Sequence, residues 1–459
     1  MQEIFPVFEP FDKLLEKPAF APGTVGQYRP ISYCITEHIP EGVLLFNNMT
    51  KEMVLLSEAE AEGIYAGAHP FPELVAKWFF VPKDYNEVTL CRQMRTVAKM
   101  IASEQKAITN YTIFTTTDCN ARCFYCFEKN ARRLPMHASV AEKTAGFIAG
   151  HCGGKKVSLS WFGGEPLFNR EAIDIICRRL REKEVSFRSS MISNGYLFDK
   201  EMVRAAKDDW KLKKVQITLD GTQEVYNKAK AYIYKGVNPF ERVIGNIHLL
   251  LDAGITVHIR LNIDVYNAED LANLTNYLVA EFSGERNLLV YFRPLYGDSV
   301  HFAVDDPVKR RVVYEKIEQL QKVLDKAGLS HSYMFSRFIK TNRCMADTTT
   351  SLTVLPSGYF GKCEHYTDEY FVGHLDGDGK LDKKELSAFK ELCPEIPECR
   401  SCPLYPDCIR LTRCTEAQLC FPEQRQEWLR QIRAGMRAAF YAKKDVQNQE
   451  TTSADINTC

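Results

Sequence analysis

From Tyr111 to Pro294 the chain alternates short apolar runs with amphipathic stretches, and this alternation limits the fold more than any other feature. The runs are YTIFTTT (111–117), VSLSWF (157–162), SFRSSMISN (186–194), KVQITLD (214–220), ITVHIRLNID (255–264) and LLVYFRP (288–294). Helical spacing covers 139–151, 171–182, 200–207, 240–251 and 269–281 between them. Strands in series with crossover helices argue for a parallel sheet with right-handed connections. Six units are too few for the closed eight-stranded barrel. The expected class is therefore α/β, with a partial (β/α)6 barrel or open wound sheet over residues 106–330, closed by an amphipathic helix at 308–327.

The flanks read differently. In residues 1–105, ISYCITEHI, GVLLFNN and EMVLLS predict three strands, and SEAEAEGIYAG, FPELVAKWFF and 86–104 predict helices. Ser57 followed by Glu60 forms a capping-box pattern. Residues 331–425 lose periodicity and are rich in Cys, Pro and Gly, so they need staples that metal clusters can supply. A helix from Glu423 to about Ala442 follows, and the tail from Asp445 is expected to be disordered. The stretch DGDGKLDKKEL looks like a calcium loop, but the sixth and twelfth positions counted from Asp376 are Leu381 and Ser387, so it reads as a turn before a helix.

The 459 residues carry 59 basic and 59 acidic side chains, so bulk charge offers no reason for a nucleic-acid or anionic-membrane partner. No apolar run reaches membrane-spanning length, and the first residues lack the basic start and apolar stretch of a secretory signal. A cytoplasmic, reducing setting is expected, where 16 cysteines point to metal or redox chemistry rather than disulfides. Cys34, Cys91, Cys152, Cys177 and Cys459 stand isolated and read as plain thiols. The other cysteines fall into two groups.

The first group is TTTDCNARCFYCFEKN, with Cys119, Cys123 and Cys126 directly after the first strand of the series. Ligands of α/β folds gather at that edge. Three thiolates can hold a cubane iron–sulfur cluster and leave one iron open, since such clusters normally take four cysteines. A zinc site completed elsewhere is the other chemistry this spacing allows. The CxxxCxxC motif in this place resembles the radical S-adenosylmethionine (SAM) superfamily, in which an aromatic residue, here Tyr125, precedes the third cysteine. The resemblance implies that the open iron chelates the amino and carboxylate groups of SAM. Reductive cleavage then yields a 5′-deoxyadenosyl radical that takes hydrogen from an unactivated carbon. WFGGEPL is similar to the family's GGE motif, which implies that Gly163 and Gly164 allow close backbone approach to the ligand and that Glu165 accepts from its ammonium. SNGYL matches the ribose-contacting stretch, with Ser193 and Asn194 as candidates. ITLDG places Thr218 at the methionyl carboxylate, and Arg260 could pair with the same group or make a structural salt bridge.

The second group runs from Cys344 to Cys420. Its spacing through Gly358 and Cys363 resembles the SPASM extension of peptide-modifying radical enzymes. That resemblance implies a second auxiliary cluster on Cys399, Cys402, Cys408 and Cys420, and a first on Cys344, Cys363 and Cys414. Position 412 is Thr where the pattern expects a cysteine, so the fourth ligand of the first auxiliary cluster is either Cys393 or absent, leaving an open iron. Zinc knuckles are the alternative for CRSC and CPLYPDC. Glu364 matches an acid that serves as general base in sulfatase-maturing relatives.

With this core, residues 1–105 resemble the winged-helix-like element by which ribosomal-peptide maturases add a leader peptide as an extra strand. A DNA-binding winged helix is the rival, but the stretch lacks a basic face. The resemblance as a whole implies three [4Fe-4S] clusters, SAM, a precursor peptide with a leader, and an electron donor such as flavodoxin or ferredoxin. The implied product is a thioether or a carbon–carbon crosslink. Formylglycine-type oxidation of a protein and a non-catalytic electron carrier are the competing readings. The expected division is 1–105, 106–330, 331–425 and 426–459.

Overall fold

The structure is a computed structural model that describes residues 1–5, 28–65, 72–103, 107–295, 306–330, 335–377, 380–414 and 420–456. Strands are numbered in chain order. β1 is Gln2–Phe5, β2 Tyr28–Pro30, β3 Cys34–Ile39, β4 Gly42–Asn47, β5 Met53–Leu56 and β6 Phe80–Pro82. The central series is β7 Asn110–Thr116, β8 Val157–Gly163, β9 Phe187–Ser193, β10 Leu212–Leu219, β11 Thr256–Ile263 and β12 Leu288–Pro294. Three short strands follow, β13 Ser351–Val354, β14 Tyr359–Gly361 and β15 Gly373–His374.

β12-β11-β10-β9-β8-β7 lie side by side, all parallel, as the alternation predicts. The pleat sorts their side chains. Val215, Ile217 and Leu219 of β10, and Val257, Ile259 and Leu261 of β11, are buried in one continuous core. Gln216, Thr218, His258 and Arg260 alternate with them and stay half-buried on the other face. That face is where a ligand can reach the sheet.

The central sheet does not stop at β7. β13 pairs parallel with β7, and β14 and β15 continue it antiparallel. The cysteine-rich region was expected to lack periodic structure; strands of two to four residues are too short to show alternation. The decoy loop does precede a helix, Lys383–Ala388, capped by Asp382, although residues 378–379 lie outside the described ones. The helix Gln223–Lys230 was not anticipated.

The N-terminal sheet has the order β1-β5-β4-β3. Ser57 and Glu60 form the expected reciprocal cap. FPELVAKWFF splits instead of forming one helix. Its helix ends at Ala76, Trp78 turns left-handed at φ 64°, and β6 begins at Phe80. Asn47 Nδ2 donates to the Trp78 carbonyl at 3.0 Å and holds that turn.

The C-terminal helix, Pro422–Ile456, is longer than expected. Ile432, Met436 and Phe440 pack on Ile4, Ile35, Leu44 and Phe46 of the N-terminal sheet. After Gly435 no glycine or proline interrupts the helix formers, so it continues into the stretch expected to be disordered. Both edge strands of the N-terminal sheet bond to this helix: Arg433 donates to the Thr36 carbonyl of β3 at 3.0 Å, and Lys443 to the Ile4 carbonyl of β1. No helix among the described residues is long and apolar enough to cross a membrane. The fifteen described cysteines are free thiols; Cys459 lies outside the described residues.

Candidate functional site

The first cysteine loop leaves β7 at Thr116 and is fixed by its neighbours' backbones. Gly164 N donates to Thr116 O and Glu165 N to Asp118 O, both at 3.0 Å. A Cβ on Gly163 would stand 2.0 Å from the Thr116 oxygen, and one on Gly164 2.2 Å from that of Asp118. Glycine is therefore required here by the loop that carries Cys119, whatever ligand also approaches. Gly163 has in addition φ +128°, which strains any other residue.

Glu165 is fully buried. Its carboxylate accepts from Ser193 Oγ at 2.9 Å, Asn194 N at 2.8 Å and Leu167 N at 3.2 Å. Burial pushes it up to about 7 against the pull of those donors. Glu165 thus ties the end of β8 to the end of β9. Asn194 reaches on to the loop, donating to Asn120 Oδ1 at 2.6 Å, with its Nδ2 3.8 Å from Cys119 Sγ.

A third tie comes from β10. Lys230 Nζ lies 2.9 Å from Asp220 Oδ2 and 2.8 Å from the Tyr125 hydroxyl, which itself donates to Asp220. The Lys230 carbonyl accepts from Arg122 N at 2.8 Å. Both charged side chains of the pair are about 96% buried. Lys230 was missed because it ends a helix not read from the sequence. Its spacing from Asp220 carries no motif that elementary chemistry would single out. Arg260 aligns with Thr218 on the neighbouring strand. Its Nε donates to Asn262 Oδ1 at 2.8 Å, and Asn262 donates to Asp220, so Arg260 joins this network rather than a salt bridge.

These elements surround a cavity of about 390 Å³ lined by Cys119, Cys123, Tyr125, Cys126, Gly163, Gly164, Ser193, Asn194, Thr218, Lys230 and Glu128. Of the residues expected at the ligand, Glu165 and Arg260 do not line it. Burial raises the Cys119 thiol to about 12, with Glu165, Cys123 and Cys126 pushing the same way. Burial likewise raises Cys126 to about 11 and raises Cys123. Three thiols that disfavour one another's ionisation suit a positively charged iron centre, which stabilises thiolates. The residues present therefore fit a cluster with an open position facing the cavity.

Burial lifts Cys344 to about 11 and Cys363 to about 12, and each also responds to Glu364 and to Cys414. Burial lifts Cys408 to about 11 and also raises Cys402, both influenced by Cys399 and Cys420. The Cys393 backbone N–H donates to the Arg410 carbonyl at 2.7 Å. Among the described residues no three His, Cys, Asp or Glu side chains stand close enough to share a single metal ion. The two groups approach each other at Phe127 and His365, whose ring centroids are 4.7 Å apart.

Residues 113–278 match the family model of the Radical SAM superfamily. The matched stretch runs from β7 into the helix after β11, so the central sheet has the fold of a radical SAM core. The chain is 28% identical over 155 residues to a probable GTP 3′,8-cyclase of Archaeoglobus fulgidus, covering 33% of this chain and 47% of that protein. It is 24% identical over 300 residues to the radical SAM cyclopropyl synthase TigE of Paramaledivibacter caminithermalis, covering 58% and 60%. The matched stretches thus span about half the length of these curated relatives. Among solved structures, anSMEcpe with bound AdoMet superposes with a TM-score of 0.56 at 16% identity, over 73% of this chain and all of that one. Streptococcus suis SuiB with S-adenosylmethionine gives 0.51 at 15%, over 83% and 95%. At these identities the structures speak for the fold.

Proposed function

We propose that this radical SAM enzyme modifies a ribosomally made precursor peptide, joining a cysteine sulfur of the peptide to a carbon from which hydrogen has been taken. The observation that supports this most is the meeting of the two cysteine groups at Phe127 and His365. Phe127 follows Cys126, and His365 is two residues past Cys363. A peptide entering the 390 Å³ cavity would lie between them. The first cluster and SAM, when bound, supply the hydrogen-abstracting radical. Thioether closure removes a hydrogen atom from carbon and a proton from sulfur, and leaves one electron over. Glu364, directly after Cys363, would take the proton. Three grouped thiols, Cys344, Cys363 and Cys414, would hold an electron-accepting cluster with one position left for the substrate sulfur. The N-terminal sheet, with the C-terminal helix against it, is the proposed grip for the leader.

A second reading has its own support. The TigE relative is called a cyclopropyl synthase, and closing that ring makes a carbon–carbon bond. One experiment separates the two. The reconstituted protein, SAM, dithionite and the peptide encoded beside the gene are incubated together, and the product is weighed before and after thiol alkylation. Either crosslink makes the peptide lighter by a pair of hydrogens. A thioether also removes one alkylatable thiol, whereas a carbon–carbon bond leaves the thiol count unchanged. An unchanged peptide alongside active SAM cleavage would refute both.

A further inference from the structure

Glu128 lies two residues past Cys126, on the far end of the first cysteine loop. It is 9% exposed and lines the 390 Å³ cavity. Its Oε1 is out of contact with solvent and has no hydrogen-bond partner among the described residues. No ion pair is recorded for it, although Lys129 and Arg133 line the same cavity. Its main chain is well held, since the Glu128 carbonyl accepts from Ala131 N at 2.9 Å. The loop is therefore ordered while the acid at its end is left unsatisfied.

A buried carboxyl oxygen with no donor carries a substantial penalty, and native structures rarely leave one without a reason. Glu165 makes the contrast. It is the acid the motif assigns to the ligand, yet its oxygens already accept three protein donors. Glu165 does not line the cavity; Glu128 does, and its Oε1 still lacks a donor. The same cavity is lined by Cys119, Cys123 and Cys126 of the loop and by Ser193, Asn194 and Thr218, which belong to the set expected at SAM in the reading above.

We propose that Glu128 is a binding residue for SAM itself, its free Oε1 accepting a hydrogen bond from an N–H or O–H of the bound molecule. SAM carries several such donors: the ammonium, the adenine amine and the ribose hydroxyls. This rests on the radical SAM reading of the site and adds a contact that its motifs do not contain. The residue would act in recognition and placement of SAM, leaving cluster assembly to the cysteines.

The test uses the full-length, iron-reconstituted protein and radiolabelled SAM in equilibrium dialysis. Glu128→Leu keeps the volume and removes the acceptor, whereas Glu128→Gln keeps a carbonyl oxygen in its place. The expected result is normal iron content in both, SAM affinity lowered about tenfold or more in E128L, and affinity within about threefold of the parent in E128Q. Dialysis with 5′-deoxyadenosine and with methionine as separate probes then locates the donor on one end of SAM. Parent-like SAM affinity in E128L with full iron content would overturn the proposal. So would a loss confined to peptide affinity, which would assign the acid to the substrate. If E128L fails to hold iron, Glu128→Ala takes its place under the same criteria. Failure of the parent protein to bind SAM would instead sink the reading beneath it, so the two failures are distinct.

Discussion

The two cysteine regions are built in opposite ways. Cys119, Cys123 and Cys126 hang from a core strand, and protein groups from β8, β9 and the helix after β10 fix the loop before any iron arrives. Among its described residues the block from Cys393 to Cys420 has short 3-10 turns as its only helical structure, Pro397–Ser401 and Tyr405–Asp407. It is steadied from outside. Lys51 pairs with Asp407 at 2.6 Å, and Arg95 donates to the Cys408 carbonyl at 2.6 Å. A pre-shaped loop can present an open iron to a ligand in one geometry. A loosely built block needs its metal as a staple.

The sharpest break in this comparison removes thiols. Replacing Cys119, Cys123 and Cys126 by Ala should abolish 5′-deoxyadenosine formation, while iron bound by the second group persists and the melting temperature hardly moves. Loss of all iron or global unfolding would mean that the loop is not pre-shaped. Chelating iron from the parent should do the reverse. Amide exchange should rise through 393–414 while β7–β12 stay protected, and uniform deprotection would erase the distinction.

Lys230→Met tests the tie beneath the first loop. It leaves Asp220 buried without its cation, and breaking such a pair costs about 3–5 kcal/mol. A denaturant melt showing a loss well under 1 kcal/mol would count against that tie. Lys51→Met should cost less, about 1–3 kcal/mol, because Asp407 is 13% exposed and water can replace part of the bond. Its effect should fall on exchange rates near 399–408.

The smallest effect is set by pH where the helix beginning at Glu87 meets β2. Burial pushes the Glu87 carboxyl up, but bonds from Arg29 and Ser32 pull it below the ordinary carboxylate value. A folded value below the unfolded one means stability that is present above about pH 4.3 and lost as pH falls through the lowered value. Glu87→Gln should flatten that part of the stability profile; an identical acid limb in both proteins would remove Glu87 from the account.

What could be read beforehand followed from repetition. Each central strand, and each central helix except the unanticipated Gln223–Lys230, lies within about two residues of its expected place, because each buries one face at a fixed period. The pairing of β13 with β7 was out of reach, since four residues between turns carry no period. The split of FPELVAKWFF depends on Trp78 turning left-handed, held by a side chain thirty-one residues earlier. At the site, the thiols and glycines were legible as a pattern. The residues that hold them, Lys230, Asp220 and Asn262, were not, because an internal network of charges and amides leaves no spacing rule in the chain. The need for glycine at 163 and 164 was foreseen, but its cause is the oxygen atoms of Thr116 and Asp118.

The packing of Ile432, Met436 and Phe440 on the N-terminal sheet has a consequence in time. A ribosome makes β1 long before the helix that covers it. Until then the apolar face of Ile4, Ile35 and Phe46 waits for a partner about four hundred residues away. Nascent chains arrested before Pro422 are expected to show that face to proteases and chaperones, and chains released past Phe440 to hide it. This sheet is thus finished long after it emerges, and by then every cysteine of the two groups has already left the tunnel or is about to.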